Sequence, residues 1–269
     1  MSDTPTTTLN TGPLLGLSRA IGWRARRARQ YVRLRYLSWR HPEVLVDGVR
    51  IPLFDYISDN VREAMFDGGY EAAELRAIAD QLDADDVVLE VGTGIGLIST
   101  YCAKKIGADR VFTFEGNPEL EPFIRKVYEV NGVTPTLQIG ILGRDEGTAT
   151  FFVHDDFWSS STVGRRGGGR QVTVPRLNLN AALASIHPTF LIVDIEGGES
   201  ELFEFICLDG IRKISIELHD SVIGTQRVQE ICNQLEQEGF EIDWAHSSSI
   251  DGFKKELFLR RTRPAVAAA

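Results

Sequence analysis

From residue 87 onward, short apolar runs alternate with longer amphipathic stretches. Val87–Val91, Arg110–Glu115, Thr136–Ile141, Phe190–Ile195 and Lys213–His219 read as strands. Ile95–Ile106, Pro118–Asn131, Glu199–Leu208 and Val222–Glu238 read as the helices between them. Phe240–Ala245 and Glu256–Arg260 close the pattern as two strands without an intervening helix. Such alternation implies right-handed crossovers and a mostly parallel sheet, with the last two strands paired antiparallel. Upstream, Val44–Phe54 holds an Asp47-Gly48 turn between apolar runs, a hairpin signal, and Asn60–Leu82 reads as helix broken near Gly68-Gly69. Thr148–His154 and Gln171–Arg176 read as extra strands. The loop between them carries Trp158, several serines and Gly167–Gly169, and suits a cover over a substrate. Residues 1–12, rich in Thr, Ser and Gly, have the composition of a disordered start. The expected organisation is an N-terminal extension (1–40), a hairpin and helices packed on the core (41–86), and an α/β domain (87–263).

Composition narrows the class. At 269 residues, 43% hydrophobic and 25% charged, the chain suits one soluble α/β domain plus an extension. Cys102, Cys207 and Cys232 lie far apart with no C-x-x-C pair, which disfavours a disulfide framework or a cysteine zinc site and fits a reducing compartment. The charge of −9 is uneven. Residues 1–40 carry eight arginines and Asp3, a balance of +7, and leave −16 on the remainder. An acidic body argues against nucleic-acid binding. Arg19–Arg40 interleaves arginines with Trp23, Tyr31, Leu34, Tyr36, Leu37 and Trp39. Such a helix suits an anionic membrane surface or an acidic partner; its own acidic body or a sister subunit are the plainer places for it. No apolar stretch reaches the ~20 residues of a membrane span. Leu14–Trp23 is interrupted by Arg19 and followed by no cleavage site, so no signal peptide is expected. A cytoplasmic protein is expected, with peripheral contact on the inner face of the membrane left open.

The chemistry concentrates at strand ends, where ligands bind in open α/β sheets. The run VLEVGTGIG turns from strand to helix through Gly92, Gly94 and Gly96. Glycines let a ligand approach the backbone, and the helix start offers free N–H groups. A dinucleotide fingerprint places its last glycine three residues after the second; here it comes after two. The spacing E-x-G-x-G-x-G instead resembles the first motif of class I AdoMet-dependent methyltransferases. Glu115 ends the second strand 19 residues after Gly96, where a carboxylate can accept hydrogen bonds from ribose hydroxyls. Asn117 and Pro118 suit a helix cap and first turn. In LIVDIEGGE, Asp194 and Glu196 fall two apart, on one face if the strand persists. Two acids at the end of a buried strand need a task or partners. Glu199 suits the N-terminus of the next helix. His219 ends ISIELH and is the natural base for a hydroxyl proton, with Asp194 the other candidate; Glu217 reads as a second acid of the site or an internal partner. Asp194, Glu196, His219 and Asp220 could together hold a divalent metal, but their spacing is no defined signature and no metal is predicted.

VLEVGTGIGLIST, FEGNPE with Asn131 after its helix, LNLNAAL, LIVDIEGGE and IELH occur in the order found in FkbM-type methyltransferases. The resemblance covers about residues 44–260, includes Tyr70-Glu71, and leaves out the basic segment before residue 41. Glu90 stands where many relatives carry Asp, a small change of reach. The resemblance implies a Rossmann-like seven-stranded sheet with an antiparallel C-terminal strand. It implies S-adenosylmethionine bound around Glu90, Gly92, Thr93, Gly94, Gly96, Glu115 and Asp194. It further implies O-methylation of a sugar, glycolipid or natural-product hydroxyl, with Asp194, Glu196 and His219 the candidate catalytic residues. Expected partners are a small-molecule, carbohydrate or lipid-linked acceptor and no nucleic acid, with a homo-oligomer left open. Two other classes stay in view. One is a non-catalytic binding module anchored by Arg19–Arg40; the other is a nicotinamide-dependent oxidoreductase, which the glycine spacing disfavours.

Overall fold

The computed structural model describes residues 28–54, 57–154, 169–250 and 254–263. Residues 28–40 form α1. Strands β1 (Glu43–Val46) and β2 (Val49–Pro52) make the expected hairpin, with Val46 opposite Val49. Asp47 (φ 43°) and Gly48 (φ 82°) take the positive dihedrals that a two-residue hairpin turn needs at both centres. Helices α2 (Asp59–Phe66) and α3 (Ala72–Gln81) follow, parted at Gly68-Gly69 as the sequence indicates.

The alternating region then folds as β3 (Val88–Val91), α4 (Leu97–Ile106), β4 (Val111–Glu115), α5 (Glu121–Asn131) and β5 (Thr136–Ile139). A second, three-stranded sheet comes next, from β6 (Ile141–Gly143), β7 (Gly147–Val153) and β8 (Arg170–Asn178). The chain continues through α6 (Leu179–Ile186), β9 (Phe190–Val193), α7 (Glu199–Leu202), β10 (Lys213–Leu218), α8 (Asp220–Ile223) and α9 (Thr225–Gln237). It ends in β11 (Phe240–Ile242), β12 (Ser248–Ile250) and β13 (Lys254–Arg261). The large sheet runs β5-β4-β3-β9-β10-β13-β11, with β12 added on β13. Its first five strands are parallel; β13 lies antiparallel to both β10 and β11. The fold is therefore the expected seven-stranded, mostly parallel α/β sheet.

Every residue of β3 and β9 is buried, because helices cover both faces; their sequences are continuous runs rather than alternations for that reason. On one face Val88, Ile192 and Phe190 pack with Leu75 and Ile78 of α3, with α4 and α5, and with Val49 and Ile51 of the hairpin. On the other, Leu89, Leu191 and Val193 pack with α6, α7 and α9. The Asn131 side chain ties the hairpin to the end of α5, accepting from Arg50 N–H at 2.9 Å and donating to Arg50 C=O at 2.7 Å.

Several elements differ from expectation, β12 among them as a strand the sequence pattern does not predict. The strand predicted over Thr136–Ile141 breaks at Gly140, where a Cβ would lie 2.8 Å from the Pro175 carbonyl oxygen; Ile141 then starts a strand of the second sheet. The helix predicted over Glu199–Leu208 is regular only to Leu202. The helix predicted over Val222–Glu238 is split by Gly224 at φ 82°. Helix α6 is an addition, and its signal was present: the Asn178 side chain caps it, accepting from Ala181 N–H at 2.8 Å. The suggested cover, residues 155–168, lies outside the described residues, as does the basic segment before residue 28.

Candidate functional site

The sheet grows in two directions from β3. Helix α4 carries the chain to β4 on one side, while β9 lies on the other. At such a switch point the loops leaving the strand ends diverge. Here they enclose a cavity of about 680 Å³, lined by the ends of β3, β4, β9 and β10, by the start of α3 and by the second sheet.

The three glycines of the turn after β3 are needed for three different reasons. A Cβ on Gly92 would lie 1.8 Å from the Asp194 carbonyl oxygen, so this glycine lets β3 and β9 close together. A Cβ on Gly96 would meet Ile124 and Tyr128 at 3.1 and 3.2 Å, so it lets α5 approach α4. Gly94 (φ 55°) has nothing within 4 Å and lines the cavity. Gly92 and Gly94 both line the cavity and Gly96 does not; of the three, Gly94 alone has open space in its Cβ direction.

Glu115, at the end of β4, grips this turn. Its Oε2 accepts from the backbone N–H of Thr93 (3.1 Å) and Gly94 (3.0 Å), and its Oε1 from that of Asn117 (2.7 Å). Burial pushes its pKa up to about 7, although these N–H bonds favour the charged form. Glu90 is 1% exposed and accepts from Thr113 Oγ1 at 2.6 Å. Burial lifts it to about 8 against the hydrogen bonds from Thr113 and Ser99, so it holds its proton at neutral pH. Thr93 is buried and its hydroxyl bonds that of Thr113.

Beyond β9 and β10 the acids converge on one histidine. His219 is 1% exposed. Its Nδ1 lies 2.9 Å from Oε1 of Glu199, itself fully buried, which also accepts from Gly197 N–H at 3.1 Å. Its Nε2 lies 3.3 Å from Glu196 Oε2, 3.4 Å from Glu217 Oε1 and 4.0 Å from Asp194 Oδ1. Burial opposes charge on the ring, but the bonds and charges of Glu196 and Glu199 prevail and raise its pKa to about 10. Asp194, Glu196 and Glu217 line the cavity; His219 stands behind them. This corrects the expectation that His219 faces the cleft as a free base, since the sequence could not register the four carboxylates around it. Asp220 leaves the cluster and accepts from Thr225 Oγ1 at 2.8 Å. Glu199 does more than favour a helix start, because it fixes the imidazole.

Three lining acids had no role assigned from the sequence: Glu71, Glu74 and Glu201. Glu71 and Glu74 enter at the start of α3, and burial raises both, Glu71 to about 7. Glu71 (φ 48°) and Glu196 (φ 52°) are two of only four non-glycine residues with positive φ among the described residues. Backbone strain of this kind gathers at functional sites. In all, eight acidic side chains, of which Glu90 is protonated, and one arginine, Arg176, line the cavity. Its field favours a cationic ligand.

A family model described as the methyltransferase FkbM domain matches residues 90–242. No curated protein matches the chain in sequence. Among solved structures the chain is similar to a methyltransferase from Pyrococcus furiosus, at 13% identity and TM-score 0.45, over 88% of this chain and 98% of that one. It is also similar to TrmK of M. capricolum in complex with S-adenosylhomocysteine, at 11% identity and TM-score 0.42, over 73% and 71% of the two chains. A third is the precorrin-6y C5,15-methyltransferase of Geobacter metallireducens, at 12% identity and TM-score 0.43, over 71% and 87%.

Proposed function

Because the chain belongs to the FkbM methyltransferase family, we propose that it transfers the methyl group of S-adenosylmethionine to a hydroxyl oxygen of a small-molecule, carbohydrate or lipid-linked acceptor. The observation that carries this reading is the union of the glycine turn with Glu115 at the cavity mouth, where the carboxylate fixes Thr93 and Gly94 N–H. Gly94 gives the cofactor backbone access, and Glu115 meets its ribose. The methionine end lies toward Asp194. S-adenosylmethionine carries a sulfonium charge that the acidic lining stabilises, and its demethylated product lacks that charge.

Methyl transfer is an in-line displacement, so the protein mainly aligns acceptor oxygen, methyl carbon and sulfur. The hydroxyl proton passes to the carboxylates at the end of β9, Asp194 and Glu196, which line the cavity two residues apart. His219 acts through them as a positioning residue: fixed by Glu199 at 2.9 Å, it stands 3.3 and 3.4 Å from Glu196 and Glu217. At the surface, α1 turns Tyr31, Val32, Tyr36 and Trp39 outward, each at least half exposed, beside Arg29, Arg35 and Arg40. This face suits the headgroup region of an anionic membrane, where a lipid-linked acceptor would be found. No helix among the described residues is long and apolar enough to cross a membrane.

Calorimetric titration with S-adenosylmethionine and, separately, its demethylated product tests the site. Both are expected to bind saturably at one site, the first more tightly. Glu115→Ala is expected to weaken binding at least tenfold, whereas Asp194→Asn weakens it only a few-fold and loses transfer. Labelled methyl recovered from hydroxyl acceptors as alkali-stable ether would support O-methylation; label lost to alkali, or carried on nitrogen, would end that part of the reading.

A further inference from the structure

We infer that Asp194, Glu217 and His219 form a binding site for one divalent, oxygen-preferring cation of the magnesium or manganese type. One donor atom from each lies within 4.8 Å of the others. The acids alone would be unremarkable in an acidic cavity; the histidine makes the difference. Its Nδ1 is committed to Glu199, a carboxylate with no exposed surface that is itself steadied by Gly197 N–H. With a proton on Nδ1 toward Glu199, Nε2 is directed between the carboxylates, and a cation there takes the place of the second proton those carboxylates otherwise favour. Nε2 is buried and makes no hydrogen bond, although carboxylate oxygens stand 3.3 and 3.4 Å away. A carboxylate behind one ring nitrogen, with the other aimed at further carboxylates, is the arrangement that orients histidine on a metal.

The distances fit. Neighbouring donors on an octahedral ion with bonds of about 2.1 Å lie about 3 Å apart. Nε2 is 3.4 Å from Glu217 Oε1 and 4.0 Å from Asp194 Oδ1, so closing on an ion needs only small side-chain shifts. Two carboxylates and one imidazole leave positions open for water or an acceptor oxygen. The donor set favours magnesium or manganese over a sulfur-seeking ion, since the described cysteines lie outside the cavity. Glu196 falls outside the mutual cluster, 3.3 Å from Nε2. The site stands on donor geometry alone; polarisation of the acceptor hydroxyl by the ion is the part that rests on the methyl-transfer reading.

The test uses metal-free full-length protein and Mn²⁺ without cofactor, so its failure is separate from failure of the methyltransferase reading. Titration followed by electron paramagnetic resonance is expected to give one tight Mn²⁺ per chain, with competition by Mg²⁺. Pulsed measurement on the unmutated protein is expected to show nitrogen coupling from one imidazole, which needs no variant at the buried His219. Asp194→Asn and Glu217→Gln should each weaken binding at least tenfold, as should Glu199→Gln through the orientation of His219. Glu236→Gln, on the outer face of α9, should change nothing. No tight Mn²⁺ on protein shown to be folded, Mn²⁺ without nitrogen coupling, or equal affinity in the Asp194 and Glu217 variants would overturn the assignment and leave a proton as the occupant of Nε2.

Discussion

Gly92 sits where a methyl group would overlap the carbonyl of Asp194, the residue that opens the acidic end of the cavity. Backbone atoms cannot rotate aside as a side chain can. Gly92→Ala is therefore expected to cost roughly 3 kcal/mol or more of stability, read from urea denaturation. Gly94→Ala meets no atom and adds only the strain of φ 55°; it should fold and bind S-adenosylmethionine less well. The two variants separate a glycine that admits a neighbouring strand from one that admits a ligand. In the sequence they look alike, because the spacing records where the backbone must turn and not what stands opposite. Glu115 was legible, since its distance from the glycines reports one crossover. Glu71 and Glu74 were not, because nothing local marks the first turn of α3 as facing the ends of distant strands.

At the scale of elements, α1 buries Leu34, which is 3% exposed, and is tied to α2 by Gln30 to Glu63 and to the residue after it by Arg33 to Asp67 at 2.7 Å. Its outer aromatic face carries none of that packing. Tyr36→Ser with Trp39→Ser should leave the thermal midpoint within a degree or two while abolishing co-sedimentation with anionic vesicles at low salt. Binding to neutral vesicles, or binding unchanged by salt, would speak against an electrostatic surface contact. The pattern located α1, the hairpin and every strand of the large sheet except β12. It misjudged elements where a neighbour sets the boundary. Gly140 ends β5 because the Pro175 backbone crosses it, a contact between segments far apart in the chain.

Across the whole molecule, protons and ion pairs set stability in opposing directions. Asp86 has no exposed surface and accepts from Lys213 Nζ at 2.6 Å, Arg212 at 2.9 Å and Thr189 at 2.8 Å, tying the start of β3 to β9 and β10. Burial alone would raise its pKa, but these partners prevail and depress it. Its contribution is thus present above the unfolded carboxylate range, about 3.9, and lost as pH falls through the lower folded value. Asp86→Asn is expected to cost about 2 kcal/mol at neutral pH, measured by denaturant unfolding, since it removes the buried carboxylate shared by both cations and leaves Lys213 to Asp83 and Arg212 to Asp85. Glu90 behaves in the reverse sense. Folding raises its pKa to about 8, so the folded state holds its proton where the unfolded state has lost it. Stability then declines between about pH 5 and about pH 8, by at most about 1.4 kcal/mol per unit for this one group. Glu90→Gln should flatten that decline without disturbing the bond from Thr113; an unchanged slope would reassign it to other buried acids.

By itself the sequence determined the class of fold, the mostly parallel sheet with antiparallel last strands, the turn through Gly92, Gly94 and Gly96, and the place of Glu115 at the end of the next strand. These follow from periodicity and short crossovers, which are local properties of the chain. Only the tertiary structure decided what surrounds His219. Its neighbours Asp194, Glu196 and Glu199 follow β9, while Glu217 comes from β10. The helix covering the sheet adds Glu71 and Glu74 to the same cavity. Sequence placed a histidine at a strand end and assigned it the chemistry of a free imidazole. Packing closed four carboxylates around it, and charge interactions at 3 to 4 Å in a buried site outweigh any intrinsic preference of the side chain.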